Sequence, residues 1–285
     1  MNWKKNMCKV SVLTPLYNTD PVHLMEMIDS VLAQTYQDFE FLLLNDSPNN
    51  KEIDQIVQGY SDPRIRFLKN ERNLGISKSR NILISEAKGE YLAVCDHDDV
   101  SLSERFEKEV SYLDAHPEVG VVSGLCDVFG GGSHSFMKHP EFSLDIKLHL
   151  MLNCYISHPA AMIRKSVLVE NNIMYDERFS PAEDYKLWSD LISFTEFHNI
   201  QENLIRYRTY DMNTSVTQKQ KMKDASLRIQ LDLRNKYPSY FNELLKRKSL
   251  KKASYKLFGV IPLLTVYTDK ICLFGIRIIS LKQKF

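Results

Sequence analysis

The chain has 285 residues, 44% hydrophobic and 26% charged, the balance of a globular protein long enough for one large domain plus an extension. Five cysteines, at 8, 95, 126, 154 and 272, form no CxxC pair, which argues against a disulfide framework or a zinc site and for a reducing compartment. The net charge of +1 divides unevenly: residues 216–285 hold 16 Lys and Arg against 4 Asp and Glu, a net +12, and leave 1–215 at −11. Such a tail faces something anionic, a membrane surface or a nucleic acid, or is a solvated pair of basic helices. No apolar core of ~7–15 residues precedes the first strand-like run, so no signal peptide is expected, and no stretch reaches the ~18 apolar residues of a spanning helix.

VSVLTPLY (10–17) is apolar and β-branched and predicts a strand. Thr19, Asp20 and Pro21 predict a helix start, with Leu24, Ile28, Val31 and Leu32 following at helical spacing. FEFLLLND (39–46) is a second strand, 53–59 a short helix and IRFLKN (65–70) a third strand. A helix is expected over 77–88, stopped by Gly89. YLAVCD (91–96) is a fourth strand, Ser101-x-x-Glu104 a capping box opening a helix through Phe106, Val110 and Leu113, and EVGVVSG (118–124) a fifth strand. Strands alternating with helices predict an α/β fold with a mostly parallel sheet. Ligands of such sheets bind outside the carboxyl ends of the strands, where Tyr17, Asp46 and Asp96 fall.

Beyond residue 125 the pattern is weaker. Gly130–Gly132 predicts a flexible loop, 184–194 a helix, 197–210 a strand, and 217–248 basic helix. KLFGVIPLLTV (256–266) and CLFGIRIISL (272–281) echo each other and predict a β-hairpin or a pair of membrane-touching strands.

Asp96, Asp98 and Asp99 follow a strand that reads as buried. Three unpaired carboxylates there would be costly, so they lie in water at a loop tip or hold a cation, and an all-oxygen set suits Mg²⁺ or Mn²⁺. An EF-hand is disfavoured because Ser101 stands where its sixth-position glycine belongs. Asp96-His97-Asp98-Asp99-Val100 also matches the DxDx[TV] pattern of Mg²⁺-dependent phosphohydrolases, in which Asp96 would be a nucleophile. That motif normally opens its domain, and here ~95 residues of α/β pattern precede it.

Six stretches in order carry a resemblance: VSVLTPLYN (10–18), SVLAQTYQDFEFLLLND (30–46), NLGISKSRN (73–81), AKGEYLAVCDHDD (87–99), SHPAAMIRKS (157–166) and PAEDYKLW (181–188). The chain resembles the family 2 glycosyltransferases of bacterial surface-polysaccharide synthesis. That resemblance implies the GT-A fold, Rossmann-like with a mostly parallel sheet flanked by helices, over residues 7–215. A basic extension, helical and then hairpin-like, would occupy 216–285.

The resemblance also implies roles. Tyr17, after Pro15, would stack on the nucleobase, Asp46 would accept a hydrogen bond from it, and Arg80 would lie near base and diphosphate. Asp96 would lean toward the ribose, Asp98 would ligate the Mg²⁺ or Mn²⁺, and Asp99 would orient the loop or cap the next helix. Asp184 would be the general base beside Glu183, and His158 would line the acceptor or donor pocket. Two departures stand out: Pro48 replaces a usually small loop residue, and Tyr210 stands where the family often has a histidine. The implied reaction is inverting transfer of a sugar, UDP-linked, to a hydroxyl of a glycan or lipid-linked glycan. A non-catalytic nucleotide-sugar-binding protein is the remaining alternative. The expected location is the cytoplasm, with the tail contacting anionic lipid at the inner face of the cytoplasmic membrane or pairing two copies; a nucleic-acid partner is not expected.

Overall fold

The computed structural model describes residues 8–131 and 135–248, and the backbone of four further strand segments, 253–257, 261–266, 270–273 and 276–280. It divides into two compact units, one ending at Ile229 and the other beginning at Gln230.

The first unit opens as the apolar periodicity predicts. Strand β1 (Val10–Leu16) and β2 (Phe39–Asn45) are buried at all seven positions each, as strands covered on both faces must be. Helix α1 (Pro21–Leu32) starts where the Asp20 carboxylate accepts the backbone N–H groups of Val22 and His23, and it buries Leu24, Met27, Ile28 and Val31 on one stripe. Helix α2 (Lys51–Gln58) is capped by Asn50, and β3 (Ile65–Lys69) pairs in parallel with β2. Helix α3 (Ile76–Glu86) leads into β4 (Tyr91–Val94), which pairs in parallel with β1.

Gly89 does not stop α3; Ala87, in extended conformation, does. A Cβ on Gly89 would lie 2.5 Å from the Ser11 backbone nitrogen, and the Gly89 N–H donates to Ser11 Oγ at 2.8 Å. The glycine is there because the α3–β4 connection runs against β1.

The capping box is also not formed. Ser101 belongs to a two-residue strand, β5 (Val100–Ser101), and α4 (Arg105–Ala115) begins after Glu104, which makes no side-chain cap. Gln34, from the end of α1, supplies the cap instead: its Oε1 accepts the Phe106 N–H at 3.0 Å while its Nε2 donates to the Leu102 carbonyl at 2.8 Å. Arg105 is fully buried; it pairs with Glu109 at 3.2 Å and donates to the Val94 carbonyl at 2.7 Å, tying α4 to the end of β4. Burial pushes the Glu109 carboxyl up to about 7, only partly offset by Arg105.

After α4 the topology departs from simple alternation. β6 (Val119–Gly130) is longer than expected and carries a short antiparallel partner, β7 (Ser135–Phe136). Helix α5 (Ser143–Leu150) follows, then β8 (Ala161–Arg164) and α6 (Lys165–Glu170), none of them evident in the sequence. β8 runs antiparallel between β4 and β6, so β6 does not extend the parallel row directly. Helix α7 (Glu183–Leu191) precedes β9 (Glu196–Thr209), which is parallel to β6 and antiparallel to β5. The nine-stranded sheet runs β3-β2-β1-β4-β8-β6-β9-β5, with β7 on β6. It is mixed: a parallel half, β3-β2-β1-β4, joined through antiparallel β8 to a second half.

Helices α8 (Thr214–Thr217), α9 (Lys219–Lys236) and α10 (Pro238–Lys248) complete the described helices. Among the described residues, no helix is long and apolar enough to cross a membrane. In the second unit the expected hairpin is a four-stranded antiparallel sheet: β10 (Ala253–Leu257), β11 (Ile261–Val266), β12 (Lys270–Leu273) and β13 (Ile276–Ser280).

Gly89→Ala forces its methyl group into the β1 backbone. Its urea midpoint is expected to fall by an amount corresponding to about 1–3 kcal/mol.

Candidate active site

The carboxyl ends of the parallel neighbours β2, β1 and β4 lie along one edge of the sheet. Tyr17, just beyond β1, is 50% exposed there, whereas Pro15 is buried in the strand below it. Asp46, just beyond β2, is buried; its Oδ1 accepts from Asn70 Nδ2 at 2.7 Å and the Leu74 N–H at 2.8 Å, and its Oδ2 accepts the Gly75 N–H at 2.9 Å. Gly75 precedes α3 with φ +84°, a conformation glycine adopts without strain. Three of roughly four lone-pair sites on Asp46 are thus used to fix the entry to α3, leaving one for a ligand. Ser47 holds the following loop, its Oγ accepting the Asn18 N–H at 2.9 Å, so Pro48 leaves Asp46 fastened.

Arg80, on α3, lies at the centre. Its guanidinium bonds Asp96 Oδ1 and Glu183 Oε1, each at 2.8 Å, and the Arg80 side chain is only 8% exposed. Burial alone would favour a neutral arginine; the Asp96 and Glu183 carboxylates overcome that and raise its pKa. The pairing holds the Asp96 carboxyl below the usual carboxylate range against the opposite pull of burial. One arginine therefore joins the end of β4 to the first turn of α7. Tyr175 stands beside it, with the Arg80 guanidinium 5.4 Å from its ring centroid.

His158, expected to line the pocket, is instead buried. Its Nε2 meets the Tyr175 hydroxyl at 2.8 Å and its ring packs edge-on to Tyr175. Burial, then Arg80, pushes its pKa down to about 3, so it is neutral. Tyr175 was not legible in the sequence, since it lies in an irregular stretch between α6 and α7.

Asp98 and Asp99 diverge. Asp98 is partly exposed, and its Oδ2 accepts the Tyr210 hydroxyl at 2.7 Å, which raises the tyrosine's pKa on top of burial. Tyr210 also packs on His23, ring centroids 5.6 Å apart. Asp99 is buried; its Oδ1 accepts the Arg208 N–H at 2.8 Å, so it orients the loop and does not cap α4. Arg208 Nε donates to the Asp98 carbonyl at 2.9 Å, and its guanidinium also pairs with Glu26. No local feature of the sequence singles out Arg208.

Among the described residues, no three or more His, Cys, Asp or Glu side chains form a ready-made metal cage. Asp99 Oδ2 is nonetheless buried without a hydrogen-bond partner, and burial followed by repulsion from Asp98 and Asp96 raises the Asp99 pKa well above normal. This crowding of oxygen donors fits a hard divalent cation, which takes one or two protein carboxylates and completes its shell with phosphate oxygens and water.

Asp184 occupies the first turn of α7, partly exposed, its Oδ1 accepting the Tyr185 N–H at 2.7 Å. Burial, then the neighbouring Glu183 carboxylate, pushes its pKa up to about 7. Glu183 Oε2 is buried without a partner. Asp184 is therefore a carboxylate poised to take a proton near neutral pH.

The model of glycosyl transferase family 2 matches residues 11–171. The chain belongs to that family. A glycosyltransferase of Methanocaldococcus jannaschii is 32% identical over 220 residues, 75% of each chain. The amylovoran biosynthesis glycosyltransferase AmsE of Erwinia amylovora is 29% identical over 188 residues, 64% of this chain and 69% of AmsE. The crystal structure of S. aureus TarS 1–349 in complex with UDP-GlcNAc superposes with TM-score 0.66 at 19% identity, over 85% of this chain and 73% of TarS. The mixed sheet is thus the GT-A fold, and the protein is a glycosyltransferase. The phosphohydrolase reading of Asp96 falls: that carboxylate is engaged by Arg80 rather than free to attack.

A carboxyl raised from about 3.8 to about 7 binds a proton more readily folded than unfolded, so folding stability is present below the unfolded value and lost as pH rises through 7. Asp184→Asn mimics the neutral form. It is expected to raise stability at pH 8 by on the order of 1–4 kcal/mol, with the gain shrinking toward zero below pH ~4, measured by denaturant melts at each pH.

Proposed function

We propose that this family 2 glycosyltransferase moves a sugar from a UDP-sugar to a hydroxyl of a glycan or lipid-linked glycan, inverting the anomeric centre, in cell-surface polysaccharide synthesis such as lipopolysaccharide, capsule or O-antigen. The observation that carries this reading is Asp184, a carboxyl raised to about 7 and joined through Glu183 and Arg80 to Asp96. The likeness to AmsE supports the polysaccharide setting, and the fold shared with UDP-GlcNAc-bound TarS supports a UDP donor.

The residues divide the work. Tyr17 offers an exposed ring on which the base stacks, and Asp46 keeps one acceptor position for it. Asp96, held in place by Arg80, accepts from the ribose hydroxyls. Asp98 would hold Mg²⁺ or Mn²⁺, whose charge would offset that of the leaving diphosphate. Tyr210 uses its one hydroxyl proton on Asp98 and so holds that carboxylate in position. Asp184 takes the proton from the acceptor hydroxyl, whose oxygen attacks the anomeric carbon from the face opposite UDP. The C–O bond to the acceptor forms as the C–O bond to diphosphate breaks, and one displacement gives inversion. A non-catalytic binding protein would have no use for a carboxyl raised in this way.

Asp184→Asn is expected to lower transfer by about 10³-fold or more while leaving UDP-sugar affinity unchanged in a thermal-shift titration. In the unaltered enzyme kcat/KM should rise with pH through an acid limb near 7, as Asp184 loses its proton. A profile flat from pH 5 to 8 would remove Asp184 as the base. Tyr210→His should keep turnover within about tenfold, because imidazole can also bond Asp98 or phosphate, whereas Asp98→Ala should cost about 100-fold or more. Equal losses in the two variants would make the phenol indispensable.

A further inference from the structure

We propose that the C-terminal sheet is a membrane-docking element whose apolar face lies on the surface of an anionic bilayer. This goes beyond the sugar-transfer reading and does not depend on it. Partners across an antiparallel sheet share a face, and successive residues alternate. The register therefore sorts the sequence. Tyr255–Leu264–Leu273–Ile276 form one cross-strand row, and Ala253–Val266–Ile271–Ile279 form another on the same face. The opposite face carries Ser254–Thr265–Cys272–Arg277 and the pair Lys270–Ser280. Irregularities at Tyr255/Lys256 and Ile271/Cys272 keep this sorting intact where strict alternation would break it. The Phe-Gly steps of the two Leu-Phe-Gly echoes, 258–259 and 274–275, lie outside the described residues.

Charge selects the occupant. Residues 246–285 contain ten Lys and Arg and a single acid, Asp269. Two copies of this 246–285 segment brought together would set nine net positive charges against nine, which disfavours a second copy. An anionic lipid surface is complementary, with each nearby basic residue adding to the attraction. Residues 1–215, at −11, are repelled by the same surface, which confines contact to the tail. Depth follows from hydrogen bonding. β10 and β13 are the ends of the strand order, so the open sheet has two edges with backbone groups that need water. Such edges do not occur in the hydrocarbon core; the sheet lies flat in the headgroup region with one face toward the acyl chains.

The test is flotation of the full chain with vesicles of phosphatidylglycerol plus phosphatidylcholine, against phosphatidylcholine alone, at about 0.15 M salt. Binding is expected to the first and not the second, and to weaken at about 1 M salt. Leu264→Asn with Ile271→Asn should abolish flotation, while Ser254→Asn with Thr265→Asn, on the other face, should retain it. Should the first pair disturb the sheet, Lys251, Lys252, Lys282 and Lys284, all changed to Gln, provide the second probe. Their loss should lower the partition coefficient on the order of 100-fold. UDP-induced thermal shift should stay the same in every variant, separating failure of docking from failure of the donor reading. Flotation with neither vesicle, or equally with both, overturns the proposal. So does a dimer in sedimentation that the Leu264 and Ile271 changes dissociate, which would assign the face to a second copy.

Discussion

The site depends on Arg80. It is the guanidinium held between Asp96 at the end of β4 and Glu183 at the start of α7, residues that the chain separates by 87 positions. Removing it would leave two carboxylates facing each other in a half-dry crevice, and breaking a buried ion pair costs ~3–5 kcal/mol. The position of Arg80 is itself derived: Asp46 fixes the entry to α3 through the Leu74 and Gly75 N–H groups, and β2 fixes Asp46. The line of support runs from a buried strand, through one carboxylate, to a helix start and then to the arginine.

Excess acid governs the chemistry. Asp96, Asp98, Asp99, Glu183 and Asp184 crowd one region, and Arg80 neutralises only two of them. The others settle differently according to burial. Asp99 is buried beside two like charges and its pKa rises; Asp98 shares a hydrogen bond with Tyr210 near solvent; Asp184, next to Glu183, rises to about 7. In the proposed reaction, residual negative charge on the donor side would be relieved by a cation, and on the acceptor side by a proton. These are the two needs of a displacement that expels a diphosphate and deprotonates an alcohol.

Much of the first half was legible. β1, β2 and β4 are largely apolar runs because both faces are covered, and α1 shows its stripe and its Asp20 cap directly. Gly89 and Ser101 misled because local rules assign each a helix terminus; β1 packing claims the glycine and pairing with β9 claims the serine. β8 was hidden because four residues, Ala161–Arg164, are too few for a periodicity to emerge. His158 was read as a pocket group from its motif, yet its solvent exposure depends on Tyr175 and Trp188, which reach it only through the fold.

By itself the sequence determined the alternation of strand and helix, the acidic ends of the strands, the ordered motifs of the family and the opposite charge of body and tail. These are local or additive properties, written in composition and spacing. Tertiary structure alone decided which carboxylate meets which cation: that Arg80 joins Asp96 to Glu183, that Tyr210 reaches Asp98, that Asp99 answers Arg208, and that Asp184 keeps a raised pKa. Pairing energies and desolvation depend on distances of a few ångströms between residues about a hundred positions apart, and no spacing along the chain encodes those distances.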